Sequence, residues 1–240
     1  MKAMILAAGL GTRLRPLTEV TPKPLLPLAG KPMICYHIEA LAGAGVRELV
    51  INVSWLGEQI ERALGDGSAF GVRIFYSREP GGPLDTGGGI RRALPLLGRD
   101  PFLLVAGDIW SDYPLARLVR HALARPRVAH LVLVPNPPQH AAGDFSLDAA
   151  GGVGLADDGM RCTYAGIGLL APALLDGWND EIFPLREPLR RAAAAGLLGA
   201  ELWTGDWEDV GTPERYAALN QRLQQRELPA SSTASRARGG

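Results

Sequence analysis

Short apolar runs alternate with segments of helical period along the first half of the chain. The apolar runs show no in/out alternation, which is typical of parallel strands covered on both faces. The sequence therefore predicts an α/β fold with a doubly wound, mostly parallel sheet. The predicted strands are Ala3–Ala7, Glu48–Val53, Val72–Tyr76, Phe102–Ala106 and Ala129–Val134, and the predicted helices are Met33–Ala44, Gly57–Leu64, Ile90–Leu97 and Leu115–Arg125.

The pattern changes after Pro138. Phe145–Leu147 and Val153–Leu155 flank a segment rich in turn-forming residues, and this arrangement predicts a β-hairpin. Tyr164–Leu170 is predicted to form a further strand. We expect these strands to form a small antiparallel lobe that precedes the last helices.

The end of the chain predicts a helix and then a tail. Thr212 is a suitable helix cap, Pro213 suits the first helical position, and Glu214 places an acid in the first turn of a helix that runs to about Glu227. Residues 229–240 have little to bury and are expected to be disordered. We expect one domain over residues 1–228, with a first part at about 1–135 and a second at about 136–228.

Composition excludes several classes of protein. The 240 residues include 25 Lys and Arg against 25 Asp and Glu, so the chain lacks the excess positive charge of proteins that bind nucleic acid or acidic membranes. Cys35 and Cys162 form no CxxC pair and indicate neither a zinc site nor a disulfide framework. No apolar run has the length of a membrane helix. We expect a cytoplasmic protein with no nucleic-acid or membrane partner; its oligomeric state stays open.

The most informative segment follows the first predicted strand, at the sheet edge where open α/β folds bind ligands. Residues 6–18 read LAAGLGTRLRPLT and residues 21–33 read TPKPLLPLAGKPM. Gly9 and Gly11 let backbone N–H groups approach an anion, while Arg13 and Lys23 add positive charge suited to phosphate oxygens. Neither the dinucleotide pattern GxGxxG nor the Walker pattern is complete here. A tight turn with a solvated basic face is the alternative.

These two strings resemble the signature of the sugar-1-phosphate nucleotidyltransferases, the pyrophosphorylases that make nucleotide sugars. The resemblance matches through Met33 and continues at intervals to about Gln224. It implies a Rossmann-like, GT-A-like fold in which the glycine loop wraps the phosphates of a nucleotide. By this resemblance, Arg13 and Lys23 are catalytic, and the nucleotide-binding loop residues are Gly9, Leu10, Gly11, Thr12, Arg13 and Lys23. Arg15 matches a variable position and is left out of the catalytic set.

A second glycine-rich segment, residues 80–89, reads PGGPLDTGGG. Glycines ahead of a helix allow a nucleotide base to approach the backbone closely, although an ordinary loop that enters a helix near Ile90 has the same composition. In the family, the matching segment binds the base and ribose. The residues that match it here are Glu79, Gly82, Thr86 and Gly87.

Two aspartates are candidate ligands of Mg²⁺, a cation that prefers oxygen donors and usually takes one or two carboxylates beside phosphates. Asp108 follows the strand Phe102–Ala106, and Asp209 lies in the string WEDVGT at residues 207–212. Both positions match metal-binding elements of the family. The alternatives are a turn or helix-capping role for Asp108 and a role for Asp209 in the first turn of the last helix.

The resemblance implies that a sugar 1-phosphate attacks a nucleoside triphosphate and releases pyrophosphate. The attacking phosphate is already anionic at pH 7, so no general base is required. The pattern is most similar to members that use UTP and N-acetylmuramic acid 1-phosphate in peptidoglycan recycling. Members that join GTP to mannose or heptose 1-phosphate, and non-catalytic regulatory subunits, are the alternatives.

Four residues are candidate sugar ligands. Each has an equally weighted structural alternative, as a cap, as part of a turn or as core packing. They are Asn52, Asp144, Tyr164 and Gly166.

Overall fold

The computed structural model describes residues 1–155 and 160–227. The predicted tail at residues 229–240 lies outside the described residues. The strands are β1 (Lys2–Leu6), β2 (Pro27–Leu28), β3 (Lys31–Pro32), β4 (Glu48–Val53), β5 (Arg73–Arg78), β6 (Phe102–Ala106), β7 (Ile109–Ser111), β8 (Ala129–Val134), β9 (Phe145–Leu147), β10 (Val153–Gly154), β11 (Met160–Leu170), β12 (Leu198–Leu202) and β13 (Trp207–Asp209). The helices are α1 (Leu17–Val20), α2 (Met33–Gly43), α3 (Gly57–Leu64), α4 (Asp85–Leu97), α5 (Ala116–Arg120), α6 (Arg186–Ala194) and α7 (Pro213–Glu227).

Among the described residues, nine strands form one sheet. β1 lies at its centre and pairs in parallel with β4 on one side and β6 on the other, and β4 pairs in parallel with β5. β11 continues the sheet beyond β6 in the antiparallel direction and also pairs with β8, which pairs in parallel with β12. The prediction of a doubly wound sheet with parallel central strands is confirmed. None of the described helices is long and apolar enough to cross a membrane.

Helices cover both faces of the central strands. Ile5 of β1 faces a core that includes Ile38 of α2 and Ile60 of α3, whereas its neighbour Met4 faces a core that includes Ile90 of α4 and Leu189 of α6. Successive strand residues point to opposite faces, so a strand buried on both sides must be apolar at every position. This packing explains the continuous apolar runs in the sequence.

Two predicted helices have different bounds in the structure. The helix predicted at Leu115–Arg125 is limited to α5, because the backbone of His121 is extended, with a ψ of 131°, and the His121 ring packs on His130 of β8 at 3.8 Å between centroids. The helix predicted at Ile90–Leu97 begins earlier, at Asp85. Three of the five glycines of the second glycine-rich segment, Gly87, Gly88 and Gly89, therefore belong to α4 and not to the loop before it.

The predicted hairpin is confirmed, since β9 and β10 pair in antiparallel fashion. The hairpin joins the main sheet through the first part of β11, which pairs with β9, so the antiparallel strands continue the central sheet. Helix α6, strand β12 and the β7–β13 pair were not predicted from the sequence. The division near residue 135 stays a prediction.

The last helix packs across the start of the chain. Leu219 of α7 contacts a small core that includes Leu28 and Met33. The Tyr216 hydroxyl donates a hydrogen bond to the carbonyl of Pro27 at 2.6 Å, and the Asn220 side chain accepts one from the N–H of Ala29 at 2.7 Å. This packing brings the residues just before α7 to the carboxyl edge of the central sheet.

The Gly107→Ala variant is expected to lower the free energy of unfolding by about 1–3 kcal/mol, because a Cβ at Gly107 overlaps the carbonyl oxygen of Leu6 in the neighbouring strand. Urea denaturation measures this loss, provided that the dependence of the unfolding free energy on urea concentration is the same in both proteins. Gly43→Ala is the control, since an added Cβ at this last residue of α2 meets no atom within 4 Å. A Gly107→Ala protein as stable as the Gly43→Ala protein would contradict the close approach.

Candidate active site

The loops that follow β1, β4 and β6 meet at the carboxyl edge of the sheet, where the chain order reverses on either side of β1. A cavity of about 520 Å³ opens there and is called the first cavity. Its volume suits a small-molecule ligand of the size of a nucleotide. The predicted site residues that line it are Gly9, Leu10, Gly11, Thr12, Arg13, Lys23, Asn52, Glu79, Thr86 and Asp108.

The loop after β1 is held in shape by one hydrogen bond within its own segment and by another from the segment after β4. Gly11 has a φ of 63°, which favours glycine, and an added Cβ would press against Thr18. The Thr18 hydroxyl donates to the carbonyl of Gly11 at 2.8 Å, and the Trp55 indole donates to the carbonyl of Thr18 at 3.3 Å. Backbone that is already ordered loses little entropy when it binds an anion.

The two predicted catalytic cations differ in their surroundings. Lys23 lies between two prolines, its side chain is 11% exposed, and its ammonium group lies 3.0 Å from Asp108 Oδ2. Arg13 is exposed and has no hydrogen-bond or ion-pair partner within residues 1–155 and 160–227. The Arg13 guanidinium is therefore available for a ligand, whereas Lys23 is positioned by a carboxylate.

Asn52 and Glu79 form a buried network in the wall of the first cavity. The Asn52 amide accepts a hydrogen bond from the N–H of Ala7 at 2.8 Å and donates one to Glu79 Oε1 at 2.8 Å. Glu79 Oε2 accepts from the N–H of Leu84, also at 2.8 Å. This network ties strand β4 to the segments that follow β1 and β5. Asn52, predicted as a sugar ligand, is thus placed beside the predicted nucleotide residues.

The glycines of α4 permit close packing at the rim of the site. A Cβ at Gly87 would overlap the ring of Phe183, and a Cβ at Gly89 would crowd Asn52 and Glu79. Gly87 and Gly82 do not line the first cavity, unlike Thr86 in the same segment. The Thr86 hydroxyl accepts a hydrogen bond from the N–H of Leu185 at 2.7 Å. Thr86 thereby connects the start of α4 to the segment before α6.

The two predicted metal ligands are brought together by the β7–β13 pair. Asp209 is paired with Ile109, the residue after Asp108, and the N–H of Val210 donates to the carbonyl of Asp108 at 2.9 Å. Each carboxylate has a cationic partner: Lys23 for Asp108 and Arg215, at 3.0 Å, for Asp209. Tertiary packing thus places side by side two acids that lie 101 positions apart in the sequence.

These residues fit the requirements of Mg²⁺. Within the described ranges, no three His, Cys, Asp or Glu side chains converge closely enough to hold a metal by themselves. Mg²⁺ usually binds through one or two carboxylates, with substrate phosphates and water as its other ligands. Two aspartates that line one cavity with Arg13, a residue of the loop after β1, match the protein part of that donor set.

A second cavity, of about 370 Å³, adjoins the first. The two cavities share five residues, which are Leu6, Arg13, Thr86, Ala106 and Asp108. The second cavity also contains Asp209 and two of the predicted sugar ligands, Tyr164 and Gly166. The Tyr164 hydroxyl is buried without a hydrogen-bond partner in the described part of the chain, and burial raises its pKa. A buried, protonated hydroxyl of this kind can donate a hydrogen bond to a ligand.

Asp144 lines neither cavity. Its Oδ2 accepts a hydrogen bond from the N–H of Tyr164 at 2.8 Å, and its Oδ1 lies 3.0 Å from His140 Nε2. Asp144 therefore positions two residues of the second cavity instead of contacting its contents. Gly166, with a φ of 75°, lies between Tyr164 and Gly168, where the pairing of β11 with β8 shifts register. A Cβ there would press against Ala106.

Several cavity residues were not among the predicted site residues. Ile182 is a large apolar residue, 65% exposed, and lines the first cavity beside the predicted Leu10, which is 41% exposed. His140, Arg186 and Trp207 line the second cavity. Exposed apolar residues near a cleft are a signal of ligand contact, but exposure is not visible in a sequence.

The other histidines lie outside the linings of both cavities. His37 lies in α2, is buried and lines neither of the two cavities. Burial lowers its pKa to about 4, so the imidazole is neutral at pH 7. His130, whose pKa burial also lowers to about 4, packs against His121 in the same way away from both cavities.

The sequence pattern that defines the nucleotidyl transferase family matches residues 2–153. The chain belongs to this family. The expected family is thereby confirmed. Both cavities lie beside the glycine loop of this chain, at the carboxyl edge of its sheet. This nucleotidyltransferase carries Arg13, Lys23, Asp108 and Asp209, the four charged positions that the resemblance singled out.

Named relatives cover nearly the whole chain. The nucleotidyltransferase is 48% identical over 223 residues to N-acetylmuramate alpha-1-phosphate uridylyltransferase of Neisseria meningitidis, a match that covers 88% of this chain and 94% of that protein. It is 35% identical to the protein of the same name from Caulobacter vibrioides, and this match covers 92% of this chain and 96% of the relative. The crystal structure of HddC from Yersinia pseudotuberculosis in complex with GMP-PN has a TM-score of 0.76 at 21% identity, covering 92% of this chain and 99% of that one. That likeness shows the shared fold.

Proposed function

We propose that this nucleotidyltransferase joins UTP to N-acetylmuramic acid α-1-phosphate and releases pyrophosphate and the UDP-sugar. The observation that carries the proposal is the pair of adjoining cavities that share Arg13 and Asp108. A nucleotide in the first cavity and a sugar 1-phosphate in the second would come into contact beside the guanidinium of Arg13 and the carboxylate of Asp108. The named relatives support the choice of UTP and of the muramic sugar.

The reaction transfers a nucleotidyl group between phosphates. An oxygen of the sugar phosphate attacks the α-phosphorus of UTP, a new P–O bond forms, and the bond to the bridging oxygen of pyrophosphate breaks. Catalysis of this kind depends mainly on positioning and on neutralising charge. Arg13 lies where both cavities meet and neutralises the reacting phosphates, and Lys23 adds a second, compact positive charge.

Asp108 and Asp209 would hold Mg²⁺ in this proposal. When bound, the ion supplies charge neutralisation between the anionic reactants and stabilises the leaving pyrophosphate. In the described structure, Lys23 and Arg215 neutralise the two carboxylates. These ion pairs hold the two carboxylates in place at the second cavity.

In this proposal the base and ribose lie against other residues of the first cavity. Leu10, a predicted residue, and Ile182, which was not predicted, offer apolar surface for the faces of the base, and the predicted Thr86 lies at the junction with the second cavity. Glu79 already accepts two hydrogen bonds from the protein, so its role is to hold the wall against which the base lies.

A matrix of substrates tests the proposal. UTP, GTP, dTTP and CTP are each incubated with muramic, glucosamine, glucose, mannose and heptose 1-phosphates in the presence of Mg²⁺, and pyrophosphate release is measured. We expect the fastest release from UTP with N-acetylmuramic acid 1-phosphate. Fastest release from GTP with mannose or heptose 1-phosphate would identify a guanylyltransferase instead. Binding of a nucleotide sugar without turnover of any pair would indicate a regulatory subunit.

We also place this activity in the cytoplasm and in peptidoglycan recycling, where a muramic sugar 1-phosphate is returned to the nucleotide-sugar pool. Cys35 and Cys162 are both free and buried, as expected for a protein of a reducing compartment.

A further inference from the structure

The substrate of the proposed function carries two anionic groups. One is the phosphate at C1, and the other is the carboxylate of the lactyl ether on O3, which distinguishes muramic acid from glucosamine. A carboxylate that leaves water for a binding site requires a cationic or hydrogen-bonding partner. The inference below rests on the proposed function, because it asks which residue of the second cavity meets this additional carboxylate.

Three side chains that can carry positive charge line the second cavity: Arg13, His140 and Arg186. Arg13 also lines the first cavity and is assigned to the reacting phosphates. His140 Nε2 lies 3.0 Å from Asp144 Oδ1, and the negative charge of Asp144 opposes a second carboxylate at that position. Arg186 is the remaining cation.

The Arg186 guanidinium has free donors. Its Nε contacts Glu187 Oε1 at 3.2 Å, and neither terminal nitrogen forms a hydrogen bond or an ion pair with a residue of the described ranges. The Arg186 side chain is 76% exposed, and an ion pair at such an exposed position contributes little free energy. A ligand that displaces Glu187 from Arg186 therefore loses little. A planar guanidinium with both terminal nitrogens free can bind the two oxygens of a carboxylate together.

The backbone at Arg186 is fixed relative to both cavities. Arg186 begins α6, and the preceding N–H, that of Leu185, donates to the Thr86 hydroxyl at 2.7 Å. Thr86 lines both cavities, so this hydrogen bond sets the distance between the Arg186 backbone and the place where the reactants meet. We propose that Arg186 binds the lactyl carboxylate of N-acetylmuramic acid 1-phosphate and selects this sugar over sugars that lack the carboxylate.

The test compares two substrates on three proteins. N-acetylmuramic acid 1-phosphate and N-acetylglucosamine 1-phosphate are assayed with UTP on the unmodified protein, on Arg186→Gln and on Arg186→Lys. We expect Arg186→Gln to raise the KM for the muramic substrate about 10-fold to 100-fold, the effect of losing a charged hydrogen-bonding partner, with little change in kcat. The glucosamine substrate should be unaffected, and Arg186→Lys should restore part of the loss.

Arg190→Gln is the matched control, because Arg190 is exposed on the same helix and lines neither cavity. An equal loss with both sugars, or no loss in Arg186→Gln, would overturn the role of Arg186. If the glucosamine substrate reacts too slowly on every protein, its inhibition constant against the muramic substrate replaces its rate. Failure of the proposed function is a separate result: the unmodified protein itself then releases no pyrophosphate with the muramic substrate.

Discussion

The Asp108→Asn variant is expected to lose about 10²-fold to 10³-fold in kcat, the size of effect seen when a group that neutralises transition-state charge is removed. Asparagine retains the shape of aspartate but not its negative charge, so it binds Mg²⁺ poorly and no longer pairs with Lys23, whose ammonium lies 3.0 Å from the carboxylate. Pyrophosphate release over a range of Mg²⁺ concentrations measures the loss. A residual rate that saturates only at higher Mg²⁺ would identify a weakened metal site.

Asp112→Asn is the control for this experiment. Asp112 lies four positions further along the chain and lines neither cavity. Its Oδ1 accepts a hydrogen bond from the Trp203 indole, which an asparagine oxygen can accept equally well. The two variants should unfold at similar temperatures. Turnover by Asp108→Asn that matches turnover by Asp112→Asn would rule out the metal role of Asp108.

The Arg13→Gln variant should lose kcat to a similar extent, about 10²-fold to 10³-fold, with full stability. Arg13 is exposed and has no partner among the described residues, so its replacement leaves no buried group unsatisfied. Its charge lies where the two cavities meet, and the loss should therefore appear for every sugar 1-phosphate. Steady-state kinetics with both substrates varied separates this effect on kcat from an effect on binding alone.

Arg15→Gln is the matched control for Arg13. Both arginines are exposed on the same loop, but Arg15 lines neither cavity. We expect its variant to retain the activity of the unmodified protein. Equal losses of kcat in the two variants would show that the reaction depends on the net charge of the loop and not on the particular position of Arg13.

The ion pairs at the two aspartates have a consequence for metal binding. Lys23 and Arg215 pair with Asp108 and Asp209, so each of the two aspartates of the second cavity has a cationic partner of its own. Arg215 belongs to the first turn of α7, whose packing against the start of the chain brings Asp209 into place. The last helix therefore contributes to the site although it lies more than 180 residues from the glycine loop.

The central strands could be predicted because each is buried on both faces. β4, β6 and β8 have the predicted bounds, and so does α3, whose apolar residues follow a clear helical period. The predicted start of α4 was wrong because glycine has low helix propensity. Only the residues that pack against these glycines, such as Phe183, show why the helix requires glycine there. Short elements such as β7 and β13 are formed by tertiary pairing and leave little trace in the local pattern.

The sequence alone determined the fold class, the family and the glycine loop with its cations, because these depend on residues close together along the chain. The tertiary structure decided which distant residues share a cavity. It placed Asp209 beside Asp108, Asn52 with the nucleotide residues, Asp144 behind Tyr164, and Arg186 at the second cavity. Side-chain exposure and contacts across the sheet edge depend on how the loops pack, and local sequence patterns carry no measure of that packing.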